Sequence, residues 1–176
     1  MKNFFYLELV YLFLLGAITS LSLPPYNYFL INFITFSLFF YFLHKKENIK
    51  NIGFLFYGWS FGFGYFVTNL YWISISLTFD KSFKILIPIS LILIPALLAL
   101  FYGISAYLFS FLKKKKTASS FLLFSILFGI IEIVRGYIFT GFPWNLIVYS
   151  FSNNIEFILI TSIIGTYSLN IFCISL

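Results

Sequence analysis

Residues 85–112 read ILIPISLILIPALLALFYGISAYLFSFL, and none of these 28 side chains carries a charge. A helix of about 20 apolar residues crosses the hydrocarbon core of a bilayer. This run is therefore long enough to cross a membrane even when tilted. Four consecutive lysines, 113–116, follow it directly and are typical of a segment held at the membrane surface.

The rest of the 176-residue chain has the same character, since 61% of its residues are hydrophobic and only 9% are charged. Soluble domains carry roughly a quarter charged residues, so a water-facing globular surface is excluded. We predict an all-α, polytopic bundle of about six transmembrane helices that fills the whole chain as one transmembrane domain. The predicted spans are residues 4–21, 28–43, 52–78, 85–112, 119–139 and 155–176.

The lysines predict how this bundle is oriented. With the N-terminus in the cytoplasm, eight basic residues fall on the cytoplasmic side: Lys2, Lys45, Lys46, Lys50 and lysines 113–116. Only Lys81 and Lys84 fall in a loop on the other side. This bias follows the positive-inside rule, and it predicts that the segment 141–154 lies on the outer face.

The net charge of +6 does not indicate nucleic-acid binding, because the basic residues form short clusters between apolar runs. The single cysteine, Cys173, can form neither an intrachain disulfide nor a zinc cluster. We expect no metal, no cofactor and no nucleic acid as partners.

Glu132 and Arg135 are the most informative polar residues, because they lie three apart within an apolar run and so share one helix face. Charged side chains inside a membrane-spanning helix usually face protein or water rather than lipid. Two interpretations stay open. The residues form a self-neutralised pair that fixes the helix and the following loop, or they form a site for a polar lipid headgroup.

Three residues directly after this helix, Phe142, Pro143 and Trp144, break the helical pattern and predict the floor of a cavity on the outer side. Trp72 is predicted to lie at the same depth in the membrane as these residues, and it is a candidate for the wall of that cavity. Aromatic residues at a membrane interface also act as simple anchors, and this alternative applies to both tryptophans.

These residues resemble a known family. The segment from Gly129 to Asn145, GIIEIVRGYIFTGFPWN, together with its continuation to Tyr149-Ser150, is similar to a signature of bacterial apolipoprotein N-acyltransferases, although Val148 stands where a glycine is usual. Two upstream stretches also resemble the family: Leu23-Pro24-Pro25-Tyr26, and the segment from Gly58 to Tyr71-Trp72.

The resemblance implies an acyltransferase of the inner membrane of Gram-negative bacteria. Such an enzyme transfers an acyl chain from a phospholipid to the amino group of a diacylglyceryl-cysteine in an apolipoprotein, during lipoprotein maturation. In the family the reaction occurs on a cysteine of a periplasmic nitrilase-like domain.

That domain is absent from these 176 residues, so no catalytic residue can be assigned, and we expect a fragment that is inactive alone. The alternatives are a small multi-spanning transporter or a structural membrane subunit.

Overall fold

The computed structural model describes residues 2–47, 49–79, 81–138 and 143–175, and all regular secondary structure in this part of the chain is helical. The α-helices are α1 (Lys2–Thr19), α2 (Leu30–Lys45), α3 (Asn51–Asn69), α4 (Tyr71–Ser76), α5 (Ile87–Leu112), α6 (Thr117–Tyr137), α7 (Ile155–Leu159), α8 (Thr161–Ile164) and α9 (Thr166–Ser175). Short 3₁₀ helices cover Ser20–Ser22, Lys81–Leu86 and Ile147–Phe151. The predicted all-α class is confirmed for these residues.

Three helical segments of the described chain are long and apolar enough to cross a membrane: Phe4–Ser22, Ser82–Leu112 and Thr117–Tyr137. A fourth is obtained if the bent pair Ile155–Ile164 and Thr166–Ser175 counts as one span. The chain is therefore a helical membrane protein, whereas the predicted number of about six spans is not confirmed. One reason is that helix α2 is short. Its 16 residues extend about 24 Å at 1.5 Å per residue, less than the roughly 30 Å of a bilayer's hydrocarbon core.

Helix α3 lies at the centre of the bundle and packs against α1 on one side and α5 on the other. Its polar and small residues are tolerated because they face other helices rather than lipid. Gly58 approaches Tyr102 and Ala106 of α5, because a glycine without a side chain lets the two helices pack closely. Gly64, on the opposite side of α3, approaches the backbone of α1 at Phe13.

The interior next to α3 is aromatic. The rings of Phe39 and Phe61 stack with centroids 4.1 Å apart, and Phe124 and Phe128 of α6 pack edge-on against Phe39. Offset stacks and edge-to-face pairs are the favoured geometries for such rings. The abundant phenylalanines thus fill the core between α2, α3 and α6.

The predicted helix over residues 52–78 is divided in the structure. Helix α3 ends at Asn69, and α4 begins at Tyr71 after Leu70, whose φ of −105° and ψ of 5° are not helical. The Thr68 hydroxyl and the Asn69 amide both donate to α3 carbonyls, Thr68 to that of Gly64 and Asn69 to that of Tyr65. Such side-chain bonds compete with the regular helix pattern, and this explains why the helix ends here.

The predicted helix over residues 155–176 is also interrupted. Gly165 adopts a φ of +83°, which L side chains rarely adopt, and the helix direction bends by 119° between the segments on its two sides. This part of the chain is therefore a bent pair of helical segments and not one continuous helix.

Candidate functional site

The predicted pair forms an ion pair that is wholly internal. Arg135 donates two hydrogen bonds to Oε2 of Glu132, one of them from Nε over 2.9 Å, and both side chains are only 1% exposed. Both residues lie on the last two turns of α6, so their three-residue spacing brings them to one face, as predicted. Arg135 compensates the buried carboxylate through Oε2, whereas Oε1 of Glu132 accepts no hydrogen bond within the described residues.

Arg135 also bonds to the segment after α6. Its Nη1 donates to the backbone carbonyl of Trp144 over 3.0 Å, and its guanidinium carbon lies 5.3 Å from the centre of the Phe66 ring. An arginine can combine a planar fork of donors with stacking on an aromatic face, which a lysine cannot do. Arg135 therefore connects α6, α3 and the segment that carries Trp144.

A second hydrogen bond holds the same segment from α3. The hydroxyl of Tyr65, a fully buried residue, donates to the backbone carbonyl of Asn145 over 2.7 Å. Asn145 itself has a φ of 62°, a left-handed conformation that asparagine tolerates better than most residues. Two consecutive carbonyls, those of Trp144 and Asn145, are thus fixed by buried donors on two different helices.

Further along, the following 3₁₀ helix is fixed from α9, because the amide nitrogen of Val148 donates to Oδ1 of Asn170 over 3.1 Å. Val148, which stands where the family signature has a glycine, is fully buried in this position. The valine is therefore accommodated in the core.

A cavity of about 700 Å³ lies above these fixed carbonyls. Three parts of the chain that are distant in sequence form it: the turn after α1, the junction of α3 and α4, and the segment after α6. Its walls are Ser20, Leu23, Pro24, Pro25, Tyr26, Thr68, Asn69, Tyr71, Trp72, Pro143, Trp144, Asn145, Tyr149 and Ser152. A volume of this size is typical of small-molecule sites, and the wall combines aromatic residues with a few polar ones, as such sites do.

The two tryptophans stand together in this wall, with ring centroids 6.2 Å apart in an edge-to-face arrangement. Both are about half exposed, and Pro143 lies beside Trp144. Three of the six predicted site residues, Trp72, Pro143 and Trp144, therefore line one cavity. Phe142, the fourth, lies outside the residues that the structure describes.

Glu132 and Arg135 do not line the cavity. Arg135 holds part of the cavity wall through its bond to the Trp144 carbonyl, and Glu132 is paired with Arg135. This geometry agrees with the interpretation of a pair that fixes the loop, and it leaves neither charge exposed to a headgroup.

Several lining residues were not predicted as site residues. The Pro24-Pro25 turn was recognised in the sequence but not assigned to the cavity. Tyr149 belongs to the stretch that resembles the family signature but was not assigned to the cavity, whereas Asn69 and Ser152 carry no sequence signal of their own, because isolated polar residues near helix ends are common. Within the described residues, no group of three or more His, Cys, Asp or Glu side chains is placed to hold a metal ion.

Residues 15–176 match the family described as the apolipoprotein N-acyltransferase N-terminal domain. The chain belongs to this family. Its curated relatives include proteins named apolipoprotein N-acyltransferase from Rhizobium rhizogenes, 38% identical over 77% of the chain, and from Rickettsia typhi, 36% identical over 90%. A third, from Rhodopseudomonas palustris, is 32% identical over 93% of the chain.

The chain spans 27–31% of the length of these relatives. The match to an N-terminal domain confirms the predicted resemblance, including its restriction to the membrane portion of the family. It also places the fixed segment after α6, the tryptophan pair and the Pro24-Pro25 turn within the matched residues.

Proposed function

We propose that this chain is the membrane portion of a phospholipid-dependent apolipoprotein N-acyltransferase, and that the cavity beside Trp72 and Trp144 admits the phospholipid. The observation that carries the proposal is the cavity itself: about 700 Å³, lined in part by aromatic residues and with two wall carbonyls fixed by buried hydrogen bonds, in a chain of this family. The acyl group would pass to the amino group of a diacylglyceryl-cysteine on an apolipoprotein.

The wall chemistry supports a lipid as ligand. Tryptophan and tyrosine rings present an apolar body with a polar edge, which suits the boundary between acyl chains and headgroups. Asn69 and Ser152 add polar groups for the headgroup side, whereas Leu23 and the two prolines suit an ester-linked chain. We assign no catalytic residue, because Cys173 is 3% exposed within α9 and does not line the cavity.

We further propose that the protein is a multi-pass protein of the bacterial inner membrane with a cytoplasmic N-terminus. The lysine-rich ends of α2 and α5 would then face the cytoplasm and the cavity would face the periplasm. A lipid entering from the outer leaflet would reach the cavity without crossing the membrane.

The experiment is a chimera in which this chain replaces the matching N-terminal part of the Rickettsia typhi relative, assayed for lipoprotein N-acylation. We expect acylation by the chimera and a loss of at least tenfold when Trp72 and Trp144 are both replaced by alanine. Phe79→Ala is the matched control, since this aromatic side chain is 88% exposed and does not line the cavity.

Unchanged acylation in the double tryptophan variant, at equal expression, would remove the cavity from the lipid path. Equal losses in the double variant and in Phe79→Ala would show that general aromatic anchoring matters and not this cavity.

A further inference from the structure

A second concave surface lies at the opposite end of α1 from the cavity. It is a groove of about 540 Å³ between residues 4–11 of α1 and residues 38–46 at the end of α2. The cavity described above instead involves Ser20 and Leu23 just after α1. Ser20 lies nine residues after Tyr11, the last groove residue on α1, so the two sites lie about 13 Å or more apart along the helix axis at 1.5 Å per residue.

The polar end of this groove is only partly neutralised. Lys46 forms an ion pair with Glu8, and the hydroxyl of Tyr57 donates to the same carboxylate. Lys45 is exposed and has its ammonium 5.6 Å from the centre of the Tyr41 ring. No carboxylate of the described residues lies within ion-pair distance of Lys45, so the two lysines and Glu8 leave a net charge of +1.

More positive charge adjoins the groove. The ammonium of Lys113 donates to the backbone carbonyl of His44 over 3.3 Å, which fixes the start of the four-lysine segment beside the end of α2. Lysines 114–116 are all exposed. Glu47, which is exposed next to Lys46, offsets only one of these charges, so the mouth of the groove keeps a net positive charge.

The walls of the groove are apolar and open outward. Leu7 of α1 and Leu38 of α2 are 65% and 42% exposed, and Phe4, Tyr11 and Tyr41 complete the same surface. In a membrane protein these side chains face acyl chains. Long aromatic and aliphatic walls that end at an unpaired lysine match a molecule with an apolar tail and an anionic head.

We propose that the groove between α1 and α2 binds one anionic phospholipid, with its phosphate at Lys45 and an acyl chain along Leu7 and Leu38. Charge complementarity favours an anionic lipid over a neutral one. A basic residue at a membrane surface raises the affinity for an anionic lipid about fivefold. The proposal requires only that this end of the bundle lies at a membrane surface. It does not rest on the proposed acyltransferase function.

The experiment is native mass spectrometry of the 176-residue chain in detergent, with phosphatidylglycerol or phosphatidylcholine of identical acyl chains. We expect the first phosphatidylglycerol to bind at least fivefold more tightly than phosphatidylcholine. Lys45→Gln should reduce this preference about fivefold. Lys115→Gln removes the same charge at the same end of the bundle but outside the groove, and it should change the preference for phosphatidylglycerol less than twofold.

Two further arms separate a lipid from a free phosphate and from a surface effect. Leu38→Ser should weaken the binding of both lipids, and glycerol 3-phosphate at the lipid concentration should displace neither. Equal affinities for the two lipids, equal effects of Lys45→Gln and Lys115→Gln, or displacement by glycerol 3-phosphate would each overturn the proposal. Helical content measured by circular dichroism shows whether each variant is folded. If Lys45→Gln is not folded, the proposal is decided by whether Leu38→Ser weakens the binding of the lipids.

Discussion

The guanidinium of Arg135 and the backbone carbonyl of Trp144 are joined by a hydrogen bond of 3.0 Å. Arg135 is at the same time paired with Glu132 in a site with almost no exposure. A charge that would be costly in the membrane therefore has a structural use, because it fixes the residue that forms one wall of the cavity.

We predict that Arg135→Met destabilises the protein by about 3 to 5 kcal/mol, because it leaves the Glu132 carboxylate buried without its partner. The Trp144 carbonyl loses its donor in the same variant. The measurement is the free energy of unfolding in detergent micelles, followed by circular dichroism.

The matched control is the double variant Glu132→Leu with Arg135→Met, in which both charges are replaced by apolar side chains of similar size. Removing a buried pair as a unit is much less costly than removing one partner. The double variant should therefore be more stable than Arg135→Met alone. If it is less stable, the buried charge of Glu132 is not the source of the loss.

The bond from Tyr65 to Asn145 gives a second prediction. Tyr65→Phe removes the hydroxyl and leaves the Asn145 carbonyl without this donor, which should cost about 1 to 3 kcal/mol. Tyr28→Phe serves as control, because Tyr28 is 62% exposed, and surface substitutions of this kind change stability by less than about 0.5 kcal/mol. Chemical unfolding of the two variants in the same detergent compares them, and equal values would contradict a structural role for this bond.

The sequence predicted the most apolar helices well. Helices α5 and α6 begin and end within two residues of their predicted bounds, because lysines flank the apolar run of α5 on both sides and precede that of α6. The breaks at Leu70 and Gly165 were not predicted, since neither position is next to a charged residue or a proline. The local signals were weak: Thr68 and Asn69 before the first break, and at the second a glycine, which inside a helical pattern does not by itself show that the chain turns.

The candidate site was predicted in part for a similar reason. The spacing of Glu132 and Arg135 determines that they meet, since residues three apart share a helix face. The bond from Arg135 to Trp144 and that from Tyr65 to Asn145 depend on how helices pack, and periodicity contains no information about that packing. The tryptophan pair was predicted from its depth alone, and the structure brings the two rings into contact.

Close helix packing gives a third prediction. A Cβ atom on Gly64 would overlap the carbonyl oxygen of Phe13, so α1 and α3 would have to separate. We expect Gly64→Ala to lower stability by about 1 to 3 kcal/mol, the usual cost of overpacking. Thermal unfolding in detergent micelles is the measurement.

Gly53→Ala on the same helix is the control. There the added atom meets only the flexible end of the Ile49 side chain, which can move, and alanine favours the helix by up to about 1 kcal/mol. We expect this variant to be as stable as the original protein or more stable. A loss equal to that of Gly64→Ala would mean that the backbone contact with Phe13 is not the cause.

The proposed orientation can be tested with cysteines, because the native Cys173 is buried. In a Cys173→Ser background, Lys115→Cys and Asn153→Cys each place one thiol at an exposed position, at opposite ends of the proposed topology. With a cytoplasmic N-terminus, a membrane-impermeant maleimide added to spheroplasts should label Cys at 153, and label Cys at 115 only after the membrane is permeabilised. The reverse pattern would invert the topology and would place the tryptophan-lined cavity on the cytoplasmic side, where a periplasmic acyl transfer could not use it.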